Sequence, residues 1–91
     1  MRKYLLHILI ISFVFLLTPT VQVASYAGAI EDAKEVVRNN PDDAIAHYNL
    51  GYKYVLSNDR DSALEQYKIL KKLDTKKAKM LLDYIDKHTQ P

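Results

Sequence analysis

The chain has 91 residues, of which 48% are hydrophobic and 26% charged, and its formal net charge is +2. This length holds one small domain. Because the chain lacks Cys and has only two Gly, disulfides, Cys-ligated zinc, thiol catalysis and a glycine-rich phosphate loop are excluded.

Residues 1–27 have the three-part layout of a secretory signal peptide. A short positive segment precedes an uncharged, strongly apolar run over residues 4–17, and small residues follow towards Ala27. The layout predicts cleavage between Ala27 and Gly28, with a second candidate site two residues later. We therefore expect an exported protein, periplasmic or secreted.

The alternative is an uncleaved membrane anchor formed by residues 4–24. The uncharged stretch is long enough to cross a bilayer, but its strongly apolar part is shorter than the roughly 20 residues that a spanning helix needs. Pro19 also follows this part directly. In both cases the positive N-terminus predicts that residues 28–91 leave the cytoplasm.

Charge is distributed unevenly along the chain. Arg2 and Lys3 account for the whole formal excess, so the remainder is neutral and gives no support for nucleic-acid binding. Acidic residues dominate 28–67, and lysines dominate 68–91. The lysines are interpreted as a solvated face, with head-to-tail stacking of acidic on basic ends, or contact with anionic lipid headgroups, as alternatives.

Apolar residues after the leader recur at intervals of three and four, which predicts an all-α fold. A first helix ends at Asn39-Asn40-Pro41, because proline disfavours helix at the residue before it. Asp42 and Asp43 place carboxylates at the start of the second helix, Asp59 is a candidate N-cap, and Asp74-Thr75 forms another cap-like break. The other predicted helices run to about Leu56, from about Arg60 to Leu73, and from about Lys76 to His88. The short connections predict antiparallel neighbours.

The chain also repeats itself. A shift of 34 residues places Ala29 on Ala63 and Ala44 on Ala78, and it aligns several apolar and charged positions. Such a period is typical of helical repeat proteins.

A motif falls within this period: His47-x-x-Leu50-Gly51-x-x-Tyr54, then Ala63-x-x-x-Tyr67. Period and motif together resemble the tetratricopeptide repeat. Pro41 stands where the family closes the preceding repeat with a proline. The chain departs from the family at Thr75, where a second proline is expected, and at His47, where a larger aromatic residue is common. The structural signature residues are Pro41, Leu50, Gly51, Tyr54, Ala63 and Tyr67.

The resemblance implies a short antiparallel helix–turn–helix solenoid of about one and a half repeats plus a capping helix. Its parts are a half-repeat helix over 28–43, one repeat over 44–77, and a capping helix with a tail over 78–91. Gly51 and Ala63 are the small residues that allow close helix packing, so Gly51 is expected to tolerate no large side chain.

A second row on the predicted second helix is apolar and aromatic, and its spacing of three and four places it on one side. It consists of Ile45, Tyr48, Tyr52 and Val55. In the tetratricopeptide family this side lines the ligand groove, so the resemblance implies a partner-binding site that also includes Asn49. Burial of the row by the preceding helix or the leader is the alternative. Tyr48 and Tyr52 replace the basic and amide groups of a carboxylate clamp, so no clamp is predicted.

The sequence offers little for catalysis. His47 is expected to be a packed structural residue, and His88 lies at a helix end. The spacing Asp83-x-x-Asp86-x-His88 is the only metal-like cluster, and no second shell is visible around it. We therefore expect no enzyme activity, no cofactor, no metal and no small-molecule substrate.

These observations predict a non-enzymatic protein–protein interaction or scaffolding module. A solenoid this short is marginally stable alone, so we expect a protein partner or self-association. The alternative is a membrane-anchored small subunit of an envelope complex. Membrane contact is expected only if the leader is not cleaved.

Overall fold

The computed structural model describes residues 27–90. Within this range the chain forms four helices and no strand: α1 (27–39), α2 (Ala44–Leu56), α3 (Arg60–Leu73) and α4 (Thr75–His88). The predicted all-α fold is confirmed, and the predicted ends of α2 and α3 agree with the structure. The predicted signal peptide and the alternative anchor over 4–24 lie outside the described residues, apart from Ala27, which begins the described part of α1. None of the described helices has the length and apolarity needed to cross a membrane.

Aspartates begin three of these helices. The carboxylates of Asp43, Asp59 and Asp74 each accept a hydrogen bond from a backbone N–H in the first turn that follows, at 2.9–3.1 Å. These bonds satisfy N–H groups that have no partner within the helix. Asn58 adopts a positive φ of 59° in the turn between α2 and α3, a conformation that asparagine tolerates better than most residues. The predicted polar turn therefore has a local physical cause.

The two interhelical connections that lie one repeat apart differ in length. Residues 40–43 separate α1 from α2, whereas Asp74 alone separates α3 from α4 and caps both helices. Thr75 stands one period after Pro41 and is the first residue of α4, whereas Pro41 lies in the turn before α2. Because α4 begins at Thr75, the predicted boundary between residues 77 and 78 falls inside α4.

Helices α2, α3 and α4 share one core. Its fully or almost fully buried residues are Val55, Ala63, Leu70, Ala78, Leu81 and Ile85. Gly51 lies at the closest approach, because a Cβ added there would lie 2.5 Å from Leu81 Cδ2 and 3.2 Å from Gln66 Cβ. The glycine predicted to allow close packing therefore brings α2 against both α3 and α4. Leu50 is buried as well, and Tyr54 and Tyr67 pack half-buried against the core.

The other side of α4 is polar. Ile85, one period after Gly51, points into the core, while the exposed side of the helix carries mainly lysines and aspartates. A polar outer face is what a capping helix of a solenoid requires, and the capping role of α4 stays a prediction.

Candidate functional site

Most of α2 is enclosed by neighbouring helices. Its exposed residues form one strip: Ile45, Asn49, Tyr52 and Leu56. Ile45 is 59% exposed, Leu56 47% and Tyr52 38%, which is unusual for large apolar and aromatic side chains. Leu56 was missed in the sequence because it lies at the end of the helix, although it follows Tyr52 by one turn.

Val55 does not belong to this strip. It is only 4% exposed and lies in the core, so the prediction that it contacts a partner is wrong. The cause is the helical period, because ten residues at 3.6 per turn place Val55 roughly 80° around the helix from Ile45. Tyr48 lies between these extremes and packs half-buried against the core. The α4 helix helps cover this side of α2, whereas the alternative predicted from the sequence was burial by the preceding helix or the leader.

An aromatic stack joins α2 to α4. The rings of Tyr52 and Tyr84 stack with centroids 4.9 Å apart and an angle of 22° between their planes. The His88 ring also contacts the Tyr84 ring, and their centroids are 4.2 Å apart. Tyr84 was missed as a site residue, because aromatic residues on two different helices form no pattern along the sequence. We call this set the tyrosine surface: Ile45, Tyr48, Tyr52, Leu56, Tyr84 and His88.

The tyrosine hydroxyls influence one another. The pKa of Tyr84 is raised above its ordinary value, chiefly by interaction with the Tyr52 side chain and then by partial desolvation, with Tyr48 adding to the effect. The neutral phenol of Tyr84 is thus favoured. The three side chains present an uncharged aromatic area with hydroxyl groups, which is a composition enriched at protein interfaces.

Asn49 lies on the side of the exposed strip that faces α1. It lines a cleft of about 300 Å³ between α1 and α2. The remaining lining residues are Ala29, Asp32, Ala33, Val36, Ala46 and Lys53. Asn49 is therefore on the α1 side of the strip, and Tyr48 and Tyr84 are on the α4 side. The predicted site residues do not form a single row but lie on both sides of an exposed ridge.

His47 is a structural residue, as predicted. Its ring is 3% exposed, Nε2 lies 2.7 Å from the Pro41 carbonyl oxygen, and Nδ1 lies 2.8 Å from Gln66 Oε1. Because a carbonyl oxygen only accepts, Nε2 carries a hydrogen and donates it. Both ring nitrogens are therefore engaged in joining α2 to the preceding turn and to α3.

The metal-like spacing near the C-terminus serves a different purpose. Asp83 pairs with Lys87, Asp86 pairs with Arg60 at 3.0 Å, and His88 belongs to the aromatic stack. Within residues 27–90 no three His, Cys, Asp or Glu side chains come together as metal ligands. Of these contacts, the pair of Asp86 and Arg60 joins the end of α4 to α3, and the other two lie within α4.

Comparisons of the chain with family models, with curated proteins and with solved structures find no match.

Proposed function

We propose that this chain is an exported, non-enzymatic repeat module of the tetratricopeptide type that binds a protein partner through the tyrosine surface. The observation that carries the proposal is the exposed aromatic stack between α2 and α4. The motif around Gly51 and the close approach of three helices at that residue support the repeat assignment.

The chemistry of the tyrosine surface favours a protein partner. Tyrosine offers a large, rigid contact area together with a polar hydroxyl, and it is enriched among residues that dominate binding energy. Ile45 and Leu56 add exposed apolar area on either side of Tyr52. Met80 is 52% exposed and precedes Tyr84 by one helical turn, so it extends the same side of α4.

The ends of the described structure are unsuited to stacking of copies. Exposed i,i+3 ion pairs cover α1, between Glu31 and Lys34 and between Glu35 and Arg38. The outer face of α4 carries the exposed pair of Asp83 and Lys87. Because end-to-end growth of a solenoid needs apolar end faces, these charged faces favour a partner on the tyrosine surface over a stacked copy.

The proposal is tested by affinity capture from the native host with three forms of the full chain. They are the wild type, a tyrosine-surface variant (Ile45→Ser with Tyr52→Ser), and a control variant (Val36→Ser). The control removes an exposed apolar residue of α1 that lies outside the tyrosine surface. Circular dichroism of each form checks that the helices remain.

We expect at least one protein to be retained by the wild type and the control and lost by the tyrosine-surface variant. Recovery of the same proteins by all three forms would show that this surface is not the binding site. Light scattering identifies a second copy as the occupant if only the tyrosine-surface variant becomes monomeric. Intact mass of the recovered chain separates a cleaved leader from a retained anchor.

A further inference from the structure

Unpaired positive charge is concentrated at one corner of the molecule. Within residues 27–90, six basic residues make ion pairs and five do not. Four of the unpaired five are exposed lysines within two helical turns of Asp74, where α3 ends and α4 begins. We call these the lysine corner: Lys71, Lys72, Lys76 and Lys79.

The lysine corner is unfavourable for α4, the helix that carries Lys76 and Lys79. The first turn of α4 has no acidic residue, and Lys76 and Lys77 stand there close to the positive end of the helix dipole. Asp74 offsets part of this unfavourable interaction, because it is the N-cap of α4 and its Oδ2 lies 3.3 Å from Lys77 Nζ. Its hydrogen bonds with the backbone N–H and the side chain of Lys77 lower the pKa of Asp74. The remaining lysines are left without a local anion.

The acidic half of the chain does not supply that anion. Glu31, Glu35 and Glu65 are paired with bases on their own helices, and Asp43 and Asp59 cap helices. In the described range the acidic residues with neither role are Asp32, Asp42 and Asp61, which are spread over α1, a turn and α3. Stacking of the acidic end on the basic end therefore lacks a concentrated acidic face.

We propose that the lysine corner binds an anionic lipid surface. Its charges are flexible ammonium groups, which act as point charges and suit a diffuse layer of headgroups, whereas recognition of one phosphate favours the fixed fork of arginine. Ile69 and Leu73 are exposed and line a shallow groove together with Lys72. The same groove is also lined by Asp42 and by the ion pair of Glu65 and Lys68. Apolar side chains beside lysines are the composition of surfaces that lie on membranes.

This inference is independent of the tyrosine surface, because no residue is shared between the two. Insertion of the leader, whose Arg2 and Lys3 are also attracted to anionic lipid, is common to the wild type and to a lysine-corner variant, so it cancels when the two are compared. Binding by the lysine corner depends on lipid charge and weakens as salt screens it.

The test is co-flotation of the full chain with vesicles of phosphatidylcholine alone or with phosphatidylglycerol added. Each lysine at an anionic surface contributes about fivefold in affinity. The triple variant Lys72→Gln, Lys76→Gln, Lys79→Gln should thus lose on the order of 100-fold of the affinity gained from phosphatidylglycerol. The control variant Lys34→Gln, Lys53→Gln, Lys87→Gln removes the same charge at other places and should lose less than about fivefold.

Equal binding of the wild type to both kinds of vesicle would overturn the proposal. An equal loss in the two triple variants would also overturn it, because net charge alone would then explain the binding. If lipid charge has no effect but the lysine-corner variant loses a protein in affinity capture, the surface binds an acidic protein and the lipid assignment is wrong. A loss confined to the lysine-corner variant on anionic vesicles supports it.

Discussion

Replacing Gly51 by alanine tests the packing on which the whole module depends. The new Cβ would lie 2.5 Å from Leu81 Cδ2 and 3.1 Å from Leu81 Cδ1. Ordinary contact between carbon atoms requires about 3.5–4.0 Å. Leu81 is fully buried, so its side chain can make room only by shifting against the residues packed around it.

Two opposing effects set the size of the change. Alanine within a helix is favoured over glycine by about 1 kcal/mol. Overpacking a well-filled core costs about 1–3 kcal/mol. We therefore expect Gly51→Ala to lower the free energy of unfolding by up to about 2 kcal/mol. Gly51→Leu adds three more heavy atoms and should unfold the chain, since a core of this size supplies only about 3–5 kcal/mol.

The assay is urea unfolding followed by far-ultraviolet circular dichroism. Gly28→Ala is the matched control, because a Cβ at Gly28 meets no atom within 4 Å. The double variant Gly51→Ala, Leu81→Ala should lose less stability than the sum of the single variants, since the added methyl group occupies part of the cavity left by leucine. A gain in stability at Gly51 equal to that at Gly28 would refute the close approach of α2 and α4.

His47→Phe should cost about 1–2 kcal/mol in thermal unfolding, because the Pro41 carbonyl loses its donor; unchanged stability would contradict the bridging role. Asp43→Ala should cost about 1 kcal/mol in urea unfolding and Asp43→Asn much less, since asparagine still caps; equal losses would argue for charge instead of capping. The raised pKa of Tyr84 means that its contribution to stability is complete below pH 10.0 and is lost as pH rises through the folded pKa. Ultraviolet absorbance titration should show that Tyr84 ionises above its ordinary pKa, and Tyr52→Phe should lower the pKa of Tyr84. A titration of Tyr84 that Tyr52→Phe leaves unchanged would exclude the interaction.

Local signals made most of the fold predictable. Asp43, Asp59 and Pro41 mark helix boundaries through short-range hydrogen bonding and backbone restriction, and those boundaries appear in the structure. Gly51 and Ala63 indicate a close approach because small residues at repeat spacing have few other uses. The start of α4, predicted at about Lys76, lies one residue earlier at Thr75, directly after its cap Asp74.

The site was less predictable because it depends on contacts between helices. Residues spaced by three, four and three along α2 do not stay on one face of the helix, so Ile45 is exposed whereas Val55 lies in the core. Tyr84 becomes part of the surface only through stacking on Tyr52, a contact between residues 32 positions apart in sequence. No periodicity within one helix encodes such a contact.

The most direct test of the proposed function is site-specific photo-cross-linking in the native host, with a photoreactive amino acid placed in the full chain. Position 52 samples the tyrosine surface, and position 61 is an exposed control on α3. The proposal predicts that position 52 forms a discrete cross-linked product with one protein and that position 61 does not. The same products from both positions, or none from position 52 in a folded chain, would contradict it.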